Sequence, residues 1–241
     1  MVFLFVPVLV VFSRSGWSAN PFTVVELFSS EGCSSCPPAD ELLRNITQEA
    51  ALKNQRVYTL SYQVDYWNYL GWTDPYSRPE FTQRQYQYIK IFGGDSVYTP
   101  QMVINGQKTF VGTDSFKAQT EIENFLKVSS DLSLDLELTA RKSDVLQIRF
   151  RCNKISLTSR LTMALVRREV ESRVTSGENK GRLLKHVNVV GQLQTLQLTQ
   201  ETGIVTFNIP STESMTDYSV VAFIQDSKTM IILAAQQVAV K

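Results

Sequence analysis

FTVVELFSSEGCSSCPPADELL, residues 22–43, carries the fold expectation for the whole chain. Phe22 to Phe28 is a short run of β-branched and apolar residues and reads as a buried strand. Ser29 to Cys36 is rich in turn formers. Pro37-Pro38 then opens a helical stretch from Ala39 to Leu52, with Leu42, Leu43, Ile46 and Ala50 on one face. Proline suits a first helical turn, whose N–H groups lack partners in any case. Arg56 to Tyr62 (RVYTLSY) is a second buried strand, so the whole is a βαβ unit with a Cys-X-X-Cys pair at the strand-to-helix junction. That junction has a chemical reading. The N–H groups and macrodipole at a helix N-terminus favour an anion, so a thiol there titrates at about 3.5–7.5 rather than near 8.5. Cys33, at the exposed loop end, is the expected nucleophile, and Cys36 the resolving thiol against the helix start. The double proline puts Cys36 at the cap itself, where the dipole acts on it as well.

Working outward, residues 63–96 form an insertion that reads as helical from about Pro79 to Phe92. Val97-Tyr-Thr-Pro100 leads into a strand, Gln101 to Asn105, and Asn105-Gly106 is a strong hairpin signal. Lys108 to Gly112 returns, and Asp114 is the expected N-cap of a helix from Ser115 to about Val128, with Phe116, Ile122, Phe125 and Leu126 as its apolar stripe. The order β-α-β-(helical insertion)-β-β-α is that of a thioredoxin fold. In that setting Thr99-Pro100 is expected to be a cis bond that turns the backbone toward the disulfide and pairs with a substrate strand. Tyr62 to Tyr76 holds six aromatic residues. Tyr66, Trp67 and Trp72 read either as a substrate-binding surface or as a small core over the sheet edge.

From Asp131 the pattern changes to period two. Leu132, Leu134, Leu136 and Leu138 alternate with polar residues, as do Leu146, Ile148, Phe150 and Cys152. Seven short strands over residues 131–241 read as an all-β sandwich-like domain. The expected division is therefore 1–19 leader, 20–130 α/β thioredoxin-like domain with a helical insertion, and 131–241 β-sandwich-like domain. Cys152 reads as a buried inert thiol. His186, within KGRLLKHV, reads as part of a solvated basic turn entering a strand. A zinc site at Cys33 and Cys36 would need both of these distant residues, so no metal is expected.

At 241 residues, with 43% hydrophobic and 20% charged residues, the chain is an ordinary globular one rather than a disordered or multi-span membrane protein. A net charge of +1 gives no bulk attraction to nucleic acid or an anionic membrane. Residues 2–12 (VFLFVPVLVVF) are apolar and too short to span a bilayer, which takes about 20 residues. They suit the hydrophobic region of a signal peptide, with small residues at Gly16, Ser18 and Ala19 for cleavage, although no basic residue precedes them. The mature protein is expected to be exported, periplasmic or extracellular, with no stable membrane insertion.

The motifs VVELFSSEGCSSCPPADELL, YQVDYWNYLGWTDPYSRPEFTQRQ, VYTPQMVINGQ, GENKGRLLKHVNVV and VVAFIQDSKTMIILAAQ closely resemble the exported thioredoxin-like family known as domain of unknown function 1223. The resemblance implies a thioredoxin-fold domain with an appended β domain and no established substrate. It also implies a His where Gln63 stands and an Asp where Asn68 stands, and so a slower exchange here if that His moves protons. The function expected is a cofactor-free thiol–disulfide oxidoreductase acting on protein or small-molecule thiols through Cys33 and Cys36, with Thr99, Pro100, Tyr66, Trp67 and Trp72 holding the substrate. The rival is a binding or assembly protein in which the cysteine pair is structural.

Overall fold

A computed structural model describes residues 21–142, 144–209 and 214–240. The first half runs β1 (Thr23–Ser29), α1 (Pro37–Leu52), β2 (Val57–Gln63), α2 (Pro79–Phe92), β3 (Gln101–Ile104), β4 (Lys108–Val111) and α3 (Ser115–Phe125). Seven strands follow: β5 (Leu134–Lys142), β6 (Val145–Cys152), β7 (Ser159–Arg173), β8 (Leu183–Gln197), β9 (Thr202–Asn208), β10 (Tyr218–Asp226) and β11 (Ile232–Ala239). The expected leader, residues 1–19, lies outside the described residues. Among the described residues no helix is long and apolar enough to cross a membrane.

The expectation of an α/β thioredoxin-like unit followed by a separate β-sandwich is overturned. The protein is mostly β, with three α-helices among the described residues and one mixed sheet of eight strands in the order β11-β10-β7-β8-β2-β1-β3-β4. A second sheet of three strands, β5-β6-β9, is hydrogen-bonded apart from it. The join lies at β2 and β8, which pair in parallel at Ser61 and Val189, so one sheet takes strands from both sides of residue 130. The physical reason is visible along β8. Val187 to Val190 are buried at four consecutive positions, as in a strand covered on both faces, whereas one layer of a sandwich alternates. The alternation downstream of Asp131 revealed which residues face inward, but not against what.

Three apolar clusters fill the space around these sheets. Val25, Leu27, Leu43, Met102, Ile104 and Ile122 lie on one face of the large sheet, with α1 and α3. Phe28, Leu60, Tyr62, Phe81 and Tyr88 share the second cluster with Val166, Val190, Val221 and Phe223 from the other half of the chain. The third joins the small sheet (Leu146, Ile148, Phe207) to Leu161, Met163, Val220 and Ala222. Every residue of β1 is buried, which makes it a central strand. Its Glu26 is neutralised by Arg84 of α2, with Nε at 2.6 Å from Oε1 and Nη2 at 3.1 Å from Oε2. α3 stops at Phe125 instead of Val128 and turns Phe116 outward, so its buried residues are Ala118 and Ile122.

Candidate functional site

β1 delivers the chain from the sheet centre into a tight loop. The Cys33 N–H donates to the Ser30 carbonyl at 3.1 Å and the Cys36 N–H to the Cys33 carbonyl at 3.2 Å. These turns bring the two Cα atoms to 5.4 Å, and the cysteines are joined as a disulfide. Gly32 leaves room for the neighbouring Trp67, since a Cβ here would sit 3.0 Å from Trp67 Cβ and push it back. Cys36 caps α1 with helical angles (φ −80°, ψ −37°) although it precedes a proline. Pro37 and Pro38 carry no N–H, and the N–H groups of Ala39 and Asp40 are spent on the Cys36 carbonyl at 2.9 and 3.1 Å. The helix thus turns no free donor toward the sulfurs. The expectation that helix N–H groups stabilise a thiolate is corrected: what remains is the macrodipole.

A second correction concerns exposure. Cys33 is 1% and Cys36 0% exposed, and the exposed residues of the motif are Ser34 and Ser35. Cys33 Sγ has Ser35 Oγ at 3.3 Å and the Thr99 carbonyl oxygen at 4.0 Å. The Thr99–Pro100 bond is cis. Trp67 donates its ring N–H to Thr99 Oγ1 at 2.7 Å, and Trp72 donates to Glu31 Oε2 at 2.8 Å. Tyr66 packs beside Trp67, ring centroids 6.3 Å apart, and burial lifts its hydroxyl to about 12. The structure therefore places Thr99, Pro100 and Trp67 at the disulfide. Trp72 is tied to the loop before it, and Tyr66 stands one ring further out. All three aromatics are half-buried wall residues, and both indole N–H groups point inward.

The rest of the site comes from the connection between β7 and β8. Asn179 is fully buried, and its amide donates to the carbonyls of Glu31 and Cys33, both at 2.9 Å. Glu178 accepts the Ser34 N–H at 2.9 Å. Beneath them, His186 of β8 lies between Glu31 (Nε2 to Oε1, 3.3 Å) and Asp40 (Nδ1 to Oδ1, 3.6 Å). Burial opposes a charge on the imidazole, but the two carboxylates outweigh it and lift His186 to about 10. Burial also works against Glu31, and hydrogen bonds from His186, Ser172 and Trp72 nevertheless hold it below its ordinary value. Asp74, which accepts the Glu31 N–H at 3.0 Å, is raised to about 6 by burial and by the neighbouring Glu31 charge.

His186 is thus no solvated turn residue, and it is not remote from the cysteines. It was missed along with Glu31, Asp40, Asp74 and Asn179. His186 opens an unbroken buried run from His186 to Val190, with Asn188 at φ +47°, so simple alternation along β8 does not assign its face. Cys152 is a buried free thiol on β6, in the cluster under the small sheet. Gln63, where the resembled family has a His, is buried with its amide on Ser61 Oγ at 3.0 Å.

The sequence model of a family described as protein of unknown function (DUF1223) matches residues 24–225. No curated protein matches. Among solved structures, the chain is similar to an X-ray crystal structure of a protein from Agrobacterium tumefaciens, with 27% identity and a TM-score of 0.71, over 92% of this chain and 96% of that one. A β-glucosidase from Kluyveromyces marxianus aligns at 12% identity and a TM-score of 0.23, over 47% of this chain and 14% of its own. One from Bifidobacterium adolescentis aligns at 9% and 0.21, over 64% and 20%. Neither score marks a shared fold.

Proposed function

The chain belongs to the DUF1223 family of proteins of unknown function, and within it we propose that this member is a thiol–disulfide oxidoreductase acting on protein or small-molecule thiols. The observation that carries this reading is the disulfide itself, set at the cap of α1 with the Thr99 carbonyl 4.0 Å from Cys33 Sγ. A reduced Cys33 thiolate attacks a substrate disulfide, forming a mixed disulfide and releasing one substrate thiolate. Cys36 then attacks the Cys33 sulfur and releases the other. Two electrons and the protons move between thiols, so no cofactor is needed. Thr99 and Pro100 set the approach of the substrate, and Trp67 closes one wall. The apolar run at residues 2–12 supports placing this chemistry outside the cytosol, where a cysteine pair persists oxidised.

A binding protein with a structural disulfide is the second reading, favoured by the burial of both sulfurs. Equilibration against glutathione buffers separates the two. Trp67 and Trp72 both touch the site, so a redox-active pair should change tryptophan emission reversibly, with a matching gain of two alkylatable thiols by mass. A pair that stays oxidised across the whole glutathione range in the folded protein would leave the structural reading standing.

A further inference from the structure

His186 is the one histidine of the chain. It lies between two carboxylates that bracket the disulfide in sequence, Glu31 two residues before Cys33 and Asp40 four after Cys36. Because Cys36 already has helical angles, positions 36 and 40 share one face of α1, a turn apart. Glu31 Oε1, Asp40 Oδ1 and both ring nitrogens are buried and face one another at 3.3 and 3.6 Å with no further hydrogen-bond partner, while Asp40 Oδ2 accepts the Ser29 hydroxyl at 3.1 Å. Buried groups that serve packing alone normally satisfy their hydrogen bonds, and those that do not call for a reason. The other charges around the imidazole are accounted for. Asp74 is bound to the Glu31 N–H, Arg44 reaches the Lys185 carbonyl and Glu41, and Lys185 pairs with Glu171.

We infer that the Glu31–His186–Asp40 cluster is the proton store of the Cys33–Cys36 disulfide, with His186 acting through Asp40 on Cys36. This rests on the oxidoreductase reading. When an external thiolate attacks Cys33 Sγ, the S–S bond breaks, a mixed disulfide forms at Cys33, and the electron pair leaves on Cys36 Sγ. Cys36 is fully buried, so water does not stabilise that thiolate. The Asp40 carboxyl passes it one proton from the imidazolium, leaving a Cys36 thiol and a neutral imidazole. On the return, the imidazole takes the proton back as Cys36 attacks the mixed disulfide and expels the external thiolate. His186 is a positioning residue in this scheme, since it never touches the reacting sulfurs.

A single histidine makes the test direct. The full chain gives one imidazole signal in NMR, to be titrated in the disulfide form and in the dithiothreitol-reduced form, each verified by mass. Two groups that exchange a proton perturb one another, so the His186 titration should move by about one pH unit or more between the two states. In addition, His186→Gln should slow expulsion of a thiol from a Cys33 mixed disulfide by about 100-fold near neutral pH and flatten its pH profile, while the variant still folds. An imidazole titration identical in both states overturns the inference, as does a folded His186→Gln protein with an unchanged pH profile. If that variant does not fold, the wild-type titration decides alone. If thiols do not reduce the pair at all, the oxidoreductase reading fails, an outcome distinct from a reducible pair beside an indifferent imidazole.

Discussion

A Cβ at Gly112 would lie 2.8 Å from Leu27 Cδ1, 3.0 Å from Pro100 Cβ and 3.2 Å from Ala39 Cβ, so β1, the cis-proline and α1 converge on a residue without a side chain. Its N–H also holds the Pro100 carbonyl, at 2.9 Å. Leu27 and Ala39 are fully buried, so an added methyl must push the Leu27 side chain within a packed core and crowd two Cβ atoms that have little room to give. Gly112→Ala should therefore cost about 1–3 kcal/mol in denaturant unfolding, and should shift the emission of Trp67, which is bound to the adjoining Thr99. An unchanged midpoint would show that the contact is slack. His186 sets a pH dependence at the same scale. Its folded value near 10 lies above the ordinary 6.5, so its ion pairs stabilise fully below about pH 6.5 and are lost as pH rises through about 10. Asp74, raised from 3.8 to about 6, loses stability in the same direction at lower pH, whereas Glu31, held low, loses it only on acidification. The gap in melting temperature between wild type and His186→Gln should accordingly narrow from about pH 7 to about pH 10. Parallel curves would mean that the imidazole is uncharged in the folded protein.

The connection between β7 and β8 acts as an element on the disulfide loop, and nothing local in its sequence announces this. Two strands of 15 residues each carry its tip beyond the sheet. There Asn179 and Glu178 hold the carbonyls and N–H of the cysteine loop, and Gly177 packs on Trp72. Because this tip is among the groups that seal the sulfurs, loosening it should speed exchange. Asn179→Ala removes the side-chain donor to the buried Glu31 carbonyl and leaves the Cys33 carbonyl with the Cys36 N–H alone, at about 1–3 kcal/mol in all, and should raise the rate of disulfide reduction by dithiothreitol while lowering the melting temperature. A slower reduction would assign Asn179 to the reaction instead of the cover. Elements with strong local signals were legible in the sequence. Proline at the first position and a glycine after Phe92 bound α2 where expected, and Asn105-Gly106 turns with positive φ at both residues. α3 was overextended because Leu126 and Val128 continue its apolar pattern past the point where its backbone leaves the helix. The cysteine loop was readable for the same local reason, whereas the cis bond at Thr99-Pro100 was expected from the Cys-X-X-Cys unit and the flanking strands around it and not from the local sequence. The ionisable half of the site was not, because His186 stands more than 140 residues from Asp40 in sequence, and no periodicity encodes such a pairing.

At the scale of the molecule, the two halves of the chain are one hydrophobic object. Period-two patterning predicts strands but is silent on their partners, and a strand can complete its own sandwich or extend a neighbouring sheet with the same alternation. β8 does the latter, and the consequence is energetic. Phe28, Leu60 and Tyr62 of β1 and β2 share a cluster with Val166, Val190, Val221 and Phe223, all fully buried. The buried Glu26–Arg84 pair is likewise shared, since Arg84 Nη1 donates to Gln225 of β10 at 3.2 Å and Gln225 donates to the Tyr88 hydroxyl at 3.0 Å. Cutting the chain near residue 130 would bare one side of this cluster and leave part of the polar network unpaired. Losing the four aliphatic and aromatic partners alone removes contacts worth about 1.5–3 kcal/mol per side chain, set against a total stability of about 5–15 kcal/mol for an ordinary domain. Residues 21–130 expressed alone should therefore fail to give a cooperative thermal transition, whereas residues 21–241 should unfold in one step, with far-UV circular dichroism and tryptophan emission changing together. Two separated transitions in the longer chain, or a folded 21–130 fragment that retains the Cys33–Cys36 bridge in its native surroundings, would mean that the shared cluster contributes far less than its burial implies.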